Sequence, residues 1–304
     1  MIEIGLSLAP IFLLIALGWA FKRCGFPKAD FWAAAERLVY FLLFPALLVG
    51  SLATSDLSRF EVTPLIAAVS ASVMVMALAV MVIGWKLVSD GLAFTSVFQG
   101  SLRFNAYVGV AAAAALFGSA GETVAAVVIA VMVPLGEALS VIALARHAGR
   151  DTPSLGNLFA TLVQNPLILA CFGGIALNTT EIGLPSLSEP IVGFLGRAAP
   201  PIGLLCVGAS LDVSDLGKSL KPILTTSLLK LVIMPVFMVM ACSAFGVGGL
   251  TAKIALLFAA LPPFSSAFST ARQSSGNATL MANLTTLATL ASIVTLPAIM
   301  LVYD

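Results

Sequence analysis

Charge is what this chain has least of. Its 304 residues include 15 Lys and Arg and 14 Asp and Glu, so only 10% are charged. A soluble globular domain carries roughly a quarter. A net charge of +1 excludes the basic surface that would take nucleic acid as a partner. There is one histidine, His147, which falls on a basic loop and reads as solvated. The four cysteines (Cys24, Cys171, Cys206, Cys242) lie far apart with no Cys-x-x-Cys spacing, so neither a disulfide framework nor a zinc site is expected. No H-E-x-x-H and no paired intramembrane aspartates exist, which weighs against a membrane-embedded enzyme. "GKS" at 217–219 imitates the end of a phosphate-binding loop, but Asp212 stands where that motif needs its first glycine. The chain is expected not to be an enzyme, with no metal and no cofactor. Basic residues are also missing before the first apolar segment and follow it instead, as Lys22, Arg23 and Lys28. That is the reverse of a cleavable signal peptide and reads as a first membrane helix whose N-terminus is outside.

What the chain has is apolar length. Sixty per cent of its residues are hydrophobic, and a spanning helix needs about 20 in a row. Ten segments qualify, near 4–21, 32–53, 62–88, 92–117, 123–145, 157–177, 190–211, 222–244, 250–271 and 278–303. With the N-terminus outside, the inner loops collect Lys22, Arg23, Lys28, Lys86, Arg146, Arg150, Lys218, Lys221 and Arg272. The outer loops hold Arg59 with the acidic Asp56, Glu61, Glu122, Glu181 and Glu189, and Arg197 and Lys253 fall near outer helix ends. Basic residues favour the cytoplasmic side, so this asymmetry predicts a multi-pass cell (inner) membrane protein with both termini outside.

The chain also repeats. "SLATSDL" from Ser51 and "SLDVSDL" from Ser210 agree at five of seven positions, 159 residues apart, and close the second and seventh segments. Five segments per half is an odd number, so the halves are expected to insert in opposite senses, a transporter pattern with its site at the midplane. The predicted units are 1–145 and 157–304, joined by a cytoplasmic connector at 146–156. Moving Pro262 and Pro263 of "LPPFSSAF" back by 159 lands on Arg103 and Phe104 of "SLRFNAYVG". Two adjacent prolines break a helix. The fourth and ninth segments are therefore expected to be interrupted at mid-membrane, where open backbone is tolerated only beside protein or a cavity.

At these residues the sequence resembles the auxin efflux carrier family, which includes bacterial permeases for malonate and malate. The features are "RFNAYVG" in the fourth segment, "QNPLILA" opening the sixth, "LLKLVIMP" in the eighth, "ALPP" in the ninth and "TTLATLASIVTLP" in the tenth. The resemblance covers essentially the whole chain. It implies ten transmembrane helices as two inverted five-helix repeats, an all-α fold shared with bile-acid sodium symporters, with helices 4 and 9 crossing at their breaks. It further implies that helices one, two, six and seven form a scaffold for a moving transport domain, in an elevator-type mechanism, usually as a homodimer. One departure stands out: many members place an asparagine in the fifth helix where this chain has Glu137.

The expected substrate is a small organic anion, with Arg103, Asn105, Ser265, Ser266, Gln99 and Lys230 as the residues that would bind it. Arg103 lies about 11 residues, hence roughly 16 Å, into its span, where a cation marks a pathway or a partner. Its guanidinium matches a carboxylate, although Glu137 could equally pair with it. Asn105 sits at the break and can satisfy freed backbone or contact substrate. Ser265 and Ser266 can cap the helix that resumes after Pro262 and Pro263, or offer hydroxyls to a ligand. Lys230, about 12 Å from the inner surface, could snorkel its stem outward. Glu137 is the candidate for protonation during coupling, with proton or sodium both open as the driving ion. An anion channel is the competing function; it would need a continuous polar file instead of two mirrored breaks.

Overall fold

The computed structural model describes residues 2–88, 90–147, 155–212, 220–264 and 277–303. Among them the chain is all helical. Its helices are α1 (Ile2–Arg23), α2 (Ala29–Leu38), α3 (Phe44–Ala53), α4 (Val62–Ile83), α5 (Gly91–Leu102) and α6 (Ala106–His147). Then come α7 (Leu155–Val163), α8 (Pro166–Thr179), α9 (Ser188–Ser210), α10 (Leu220–Leu228), α11 (Met234–Phe245), α12 (Gly249–Ala260) and α13 (Ala278–Val302).

Among the described residues, seven stretches are long and apolar enough to cross a membrane, against the ten expected. The difference comes from interruptions. The stretch Gly91–His147 holds 57 residues, which at about 1.5 Å each would exceed twice the roughly 30 Å hydrocarbon thickness. It breaks at 103–105 and again at Gly118, whose φ of 61° and ψ of −151° are outside the helical range. The loop expected near 118–122 thus contracts to a kink at a glycine, the residue that adopts positive φ at least cost. The sixth segment is cut at Gln164–Asn165, ahead of Pro166, leaving α8 only 14 residues. In the ninth, helix α12 ends at Ala260 after 12 residues. His147 departs from its expected place on a solvated loop. It ends α6 with its ring 4.5 Å from that of Phe94 and its Nδ1 2.9 Å from the Ala143 carbonyl.

Two further irregularities follow proline chemistry. Wide π turns at Val39–Leu43 and Leu229–Ile233 join α2 to α3 and α10 to α11, each just before a proline, Pro45 and Pro235. A proline cannot donate to the carbonyl four residues back, and its ring collides with that carbonyl. One widened turn removes both conflicts while the helix continues.

The helices sort into two packing groups. In one, α1 lies along α9, α3 lies along α8 and α9, and α2 also meets α9. Glycines permit the close approach. A methyl on Gly208 would overlap the Ile15 carbonyl oxygen, and one on Gly18 would come within 2.8 Å of the Leu205 Cα. Gly196 and Gly174 similarly admit Leu47 and Leu52 of α3. This is the small-residue packing by which membrane helices associate. In the second group, α4 packs on α11, α12 packs on α6 and α11, and α13 rests on α10, α12 and α5. Helix α6 borders both groups.

Candidate substrate site

The two breaks meet. Helices α5 and α12 each run 12 residues and each ends in an extended residue, Arg103 (φ −69°, ψ 156°) and Leu261 (φ −66°, ψ 144°). Beyond them the Asn105 amide donates to the Pro262 carbonyl at 2.9 Å, one backbone hydrogen bond tying the fourth segment to the ninth. Rings pack around the junction: Phe104 against Phe258 at 5.5 Å and Tyr107 against Phe264 at 5.8 Å. Gly109 leaves no room for a methyl, which would approach the Leu261 Cδ1 to 2.7 Å. Asn105 is fully buried, and its Oδ1 accepts from the Tyr107 and Val108 amides at 3.1 and 3.2 Å. It therefore caps α6 and satisfies two of the donors that a helix start leaves free. Its Nδ2 has no partner among the described residues.

Beside the junction opens a small cleft lined by Arg103, Phe104, Tyr107, Glu137, Tyr40, Asn165 and Phe264 among others. Arg103 donates from Nη2 to the Glu137 Oε1 at 2.8 Å, with the side chains 11% and 8% exposed. The pair is half made: the Arg103 Nε and the Glu137 Oε2 are buried with no partner among the described residues. Across the cleft Asn165 repeats the role of Asn105. Its Oδ1 accepts from the Leu167 and Ile168 amides at 2.9 and 3.4 Å, and Pro166 supplies the next residue, whose missing donor costs nothing there. Two interrupted helices, α6 and α8, thus start at the wall of one cleft and turn their positive ends to it.

Of the residues expected to bind substrate, the cleft takes in Arg103, beside the protonation candidate Glu137; Asn105, between the lining residues Phe104 and Ala106, does not itself line it. Gln99 does not line it; it is buried one turn earlier, and its carbonyl accepts the Arg103 amide at 2.8 Å. Lys230 does not line it either, and its expected snorkelling is overturned. It sits on the second π turn, fully buried, and its Nζ has no partner among the described residues. The Thr226 and Ser227 hydroxyls, one turn back on the same face, are equally without partners there. Packing of that turn against α5, α12 and α13 closes the route to the surface. An isolated buried ammonium costs several kcal/mol. Lys230→Met should therefore raise thermal stability in detergent by about 1–3 kcal/mol, the desolvation penalty of a buried donor left unsatisfied. Pro262 contributes its carbonyl and Pro263 follows it in the break; Ser265 and Ser266 lie outside the described residues.

Tyr40, Tyr107, Asn165 and Phe264 were not expected at the site. Tyrosine offered a signal, since the chain has three and two of them line this cleft. Asn165 before Pro166 was legible as a helix start; only the fold shows what that start faces.

Residues 152–300 match the family described as membrane transport protein, the auxin efflux carrier transport family. That family carries out transport and not catalysis. No curated protein matches the chain. The match spans α7 to α13 and so includes one member of the crossing, Pro262, while Arg103 and Glu137 lie ahead of it.

Proposed function

We propose that the protein is a secondary transporter for a small organic anion, a carboxylate, which it binds at the crossing of its two broken helices and carries by elevator-type alternating access. The observation that carries this reading is the convergence of the Arg103 guanidinium with the starts of α6 and α8 on one membrane-buried cleft. A guanidinium offers paired donors matched to a carboxylate. Two helix starts add their positive ends.

The wider architecture supports the same reading. Helices α5 and α12 have equal length and equivalent endings, and a separation of 158 residues brings their bounds into register, close to the 159 of the repeated "SL" motifs. The same shift sets the stretch 29–53 on α9, α4 on α10–α11, and the second part of α6 on α13. This favours ten spans in two inverted repeats, split at the connector 146–156, with both termini outside. The group containing α1, α2, α3, α8 and α9 would be the stationary scaffold. The group holding the crossing would be the part that moves, and the cleft lies on the border between them. A homodimer is the expected assembly, built on the scaffold.

The test is uptake by purified protein in liposomes. Labelled malonate, malate or benzoate should enter saturably and compete with one another. Uptake that never saturates would support a channel and overturn the carrier reading.

A further inference from the structure

We propose that Glu137 and the carried carboxylate share Arg103, so that one proton accompanies each substrate molecule across the membrane. The inference rests on reading the cleft as an anion site and adds to it the driving ion.

The geometry sets up a competition. Nε and Nη2 form one edge of the guanidinium, the edge a carboxylate grips with both oxygens. Glu137 occupies only one end of it, through Oε1 on Nη2, while Nε and Oε2 stay unpartnered among the described residues. A substrate carboxylate seeking that edge must come against Glu137 itself. Two carboxylates sharing one confined site hold a proton between them, because both cannot stay ionised at such a distance. The groups facing Glu137 from the surrounding elements are few. Arg103 comes from the break, Tyr40 from the first π turn within electrostatic reach of both charges, and Tyr107 from the start of α6. The next charge outward, Glu36, acts on Tyr107. Asn165, Met132 and Phe264 complete the wall without charge. Among these residues none but Glu137 offers an acid for the proton.

Charge balance points the same way. The empty site holds one guanidinium and one carboxylate and is neutral. With a carboxylate added and Glu137 ionised it would carry −1, an expensive cargo to move through hydrocarbon. With Glu137 protonated the loaded site is neutral again. The step is a proton transfer: water on the open side protonates Oε2, Oε1 releases Nη2, and the substrate takes Nε and Nη2. On the far side the substrate leaves, Glu137 returns its proton to water and pairs with Arg103 once more. Neutral when empty and neutral when loaded, the site can cross in both directions.

Glutamine at 137 breaks that symmetry. The loaded site stays neutral, but the empty one carries an unpaired arginine. Glu137→Gln in liposomes should lose net uptake by about 100-fold while exchange of internal for external anion falls far less, since the unloaded carrier cannot return. The wild type, read with an internal pH dye, should move protons with whichever of malonate, malate and benzoate it takes up, and one per molecule for the monoanion benzoate. Its affinity should fall by about tenfold per pH unit on the alkaline side. Wild-type uptake without proton movement, or proton-coupled net uptake by Glu137→Gln, would overturn the proposal. Should the wild type bind none of the three anions at any pH, the anion reading beneath it fails instead.

Discussion

Arg103→Gln should abolish saturable uptake, by about 100-fold or more, and should also destabilise the protein. The two losses have different origins, and a second substitution separates them. Removing one partner of a buried ion pair leaves the other charge unpaired, at a cost of about 3–5 kcal/mol. Here the stranded group would be Glu137, 8% exposed and deprived of its one described hydrogen-bond donor. Adding Glu137→Gln removes that charge as well. The double variant should recover most of the lost stability, because it leaves no buried charge unpaired. Uptake should stay lost in the double variant, since the guanidinium edge is gone. Melting in detergent and liposome uptake, measured on the same preparations, decide the matter. A double variant that is stable and still transports would mean the pair only holds helices together.

The second large effect is expected far from the cleft, at Gly208. Valine there should prevent accumulation of folded protein, a loss beyond about 4 kcal/mol. The obstacle is main chain: a Cβ would overlap the Ile15 carbonyl oxygen and lie 2.9 Å from the Trp19 nitrogen. Truncating Ile15 to alanine therefore cannot rescue the variant, whereas a side-chain clash would be relieved. Gly173, within α8, has nothing within 4 Å of its added methyl. Gly173→Ala should be neutral or stabilising by up to about 1 kcal/mol, as expected when a helical glycine becomes alanine. Size-exclusion profiles after solubilisation would show both outcomes. Recovery of Gly208→Val by the Ile15 truncation would contradict the packing of α1 on α9.

The breaks were readable in the sequence because proline and buried charge are conspicuous in an apolar chain. Pro262 with Pro263 and Arg103 with Asn105 stood out, and the repeat spacing paired them to within one residue of the observed helix ends. The Arg103–Glu137 pair was readable for the same reason, as two opposite charges in one hydrophobic region. The opposite wall of the cleft was not. Tyr40 and Asn165 belong to other segments, and nothing local in "VYFLL" or "QNPLILA" says which neighbour they face. Lys230 failed in another way. Depth along a helix follows from counting residues, but the direction a side chain takes depends on what packs around it, and the π turn at 229–233 rotates that face away from any ideal helical projection. The wide turns themselves left only the faint trace of a proline two residues on.

The bond from the Asn105 amide to the Pro262 carbonyl also bears on how the chain is made. A ribosome delivers Asn105 to the bilayer long before Pro262 exists, so for that interval the amide has no acceptor and lipid offers none. The fourth segment must then wait in a wet or chaperoned setting, or fold provisionally, until the second half arrives. Biogenesis acquires an order: the crossing closes only once the ninth segment has been made, and a polypeptide truncated before it carries an unsatisfied amide that quality control can detect.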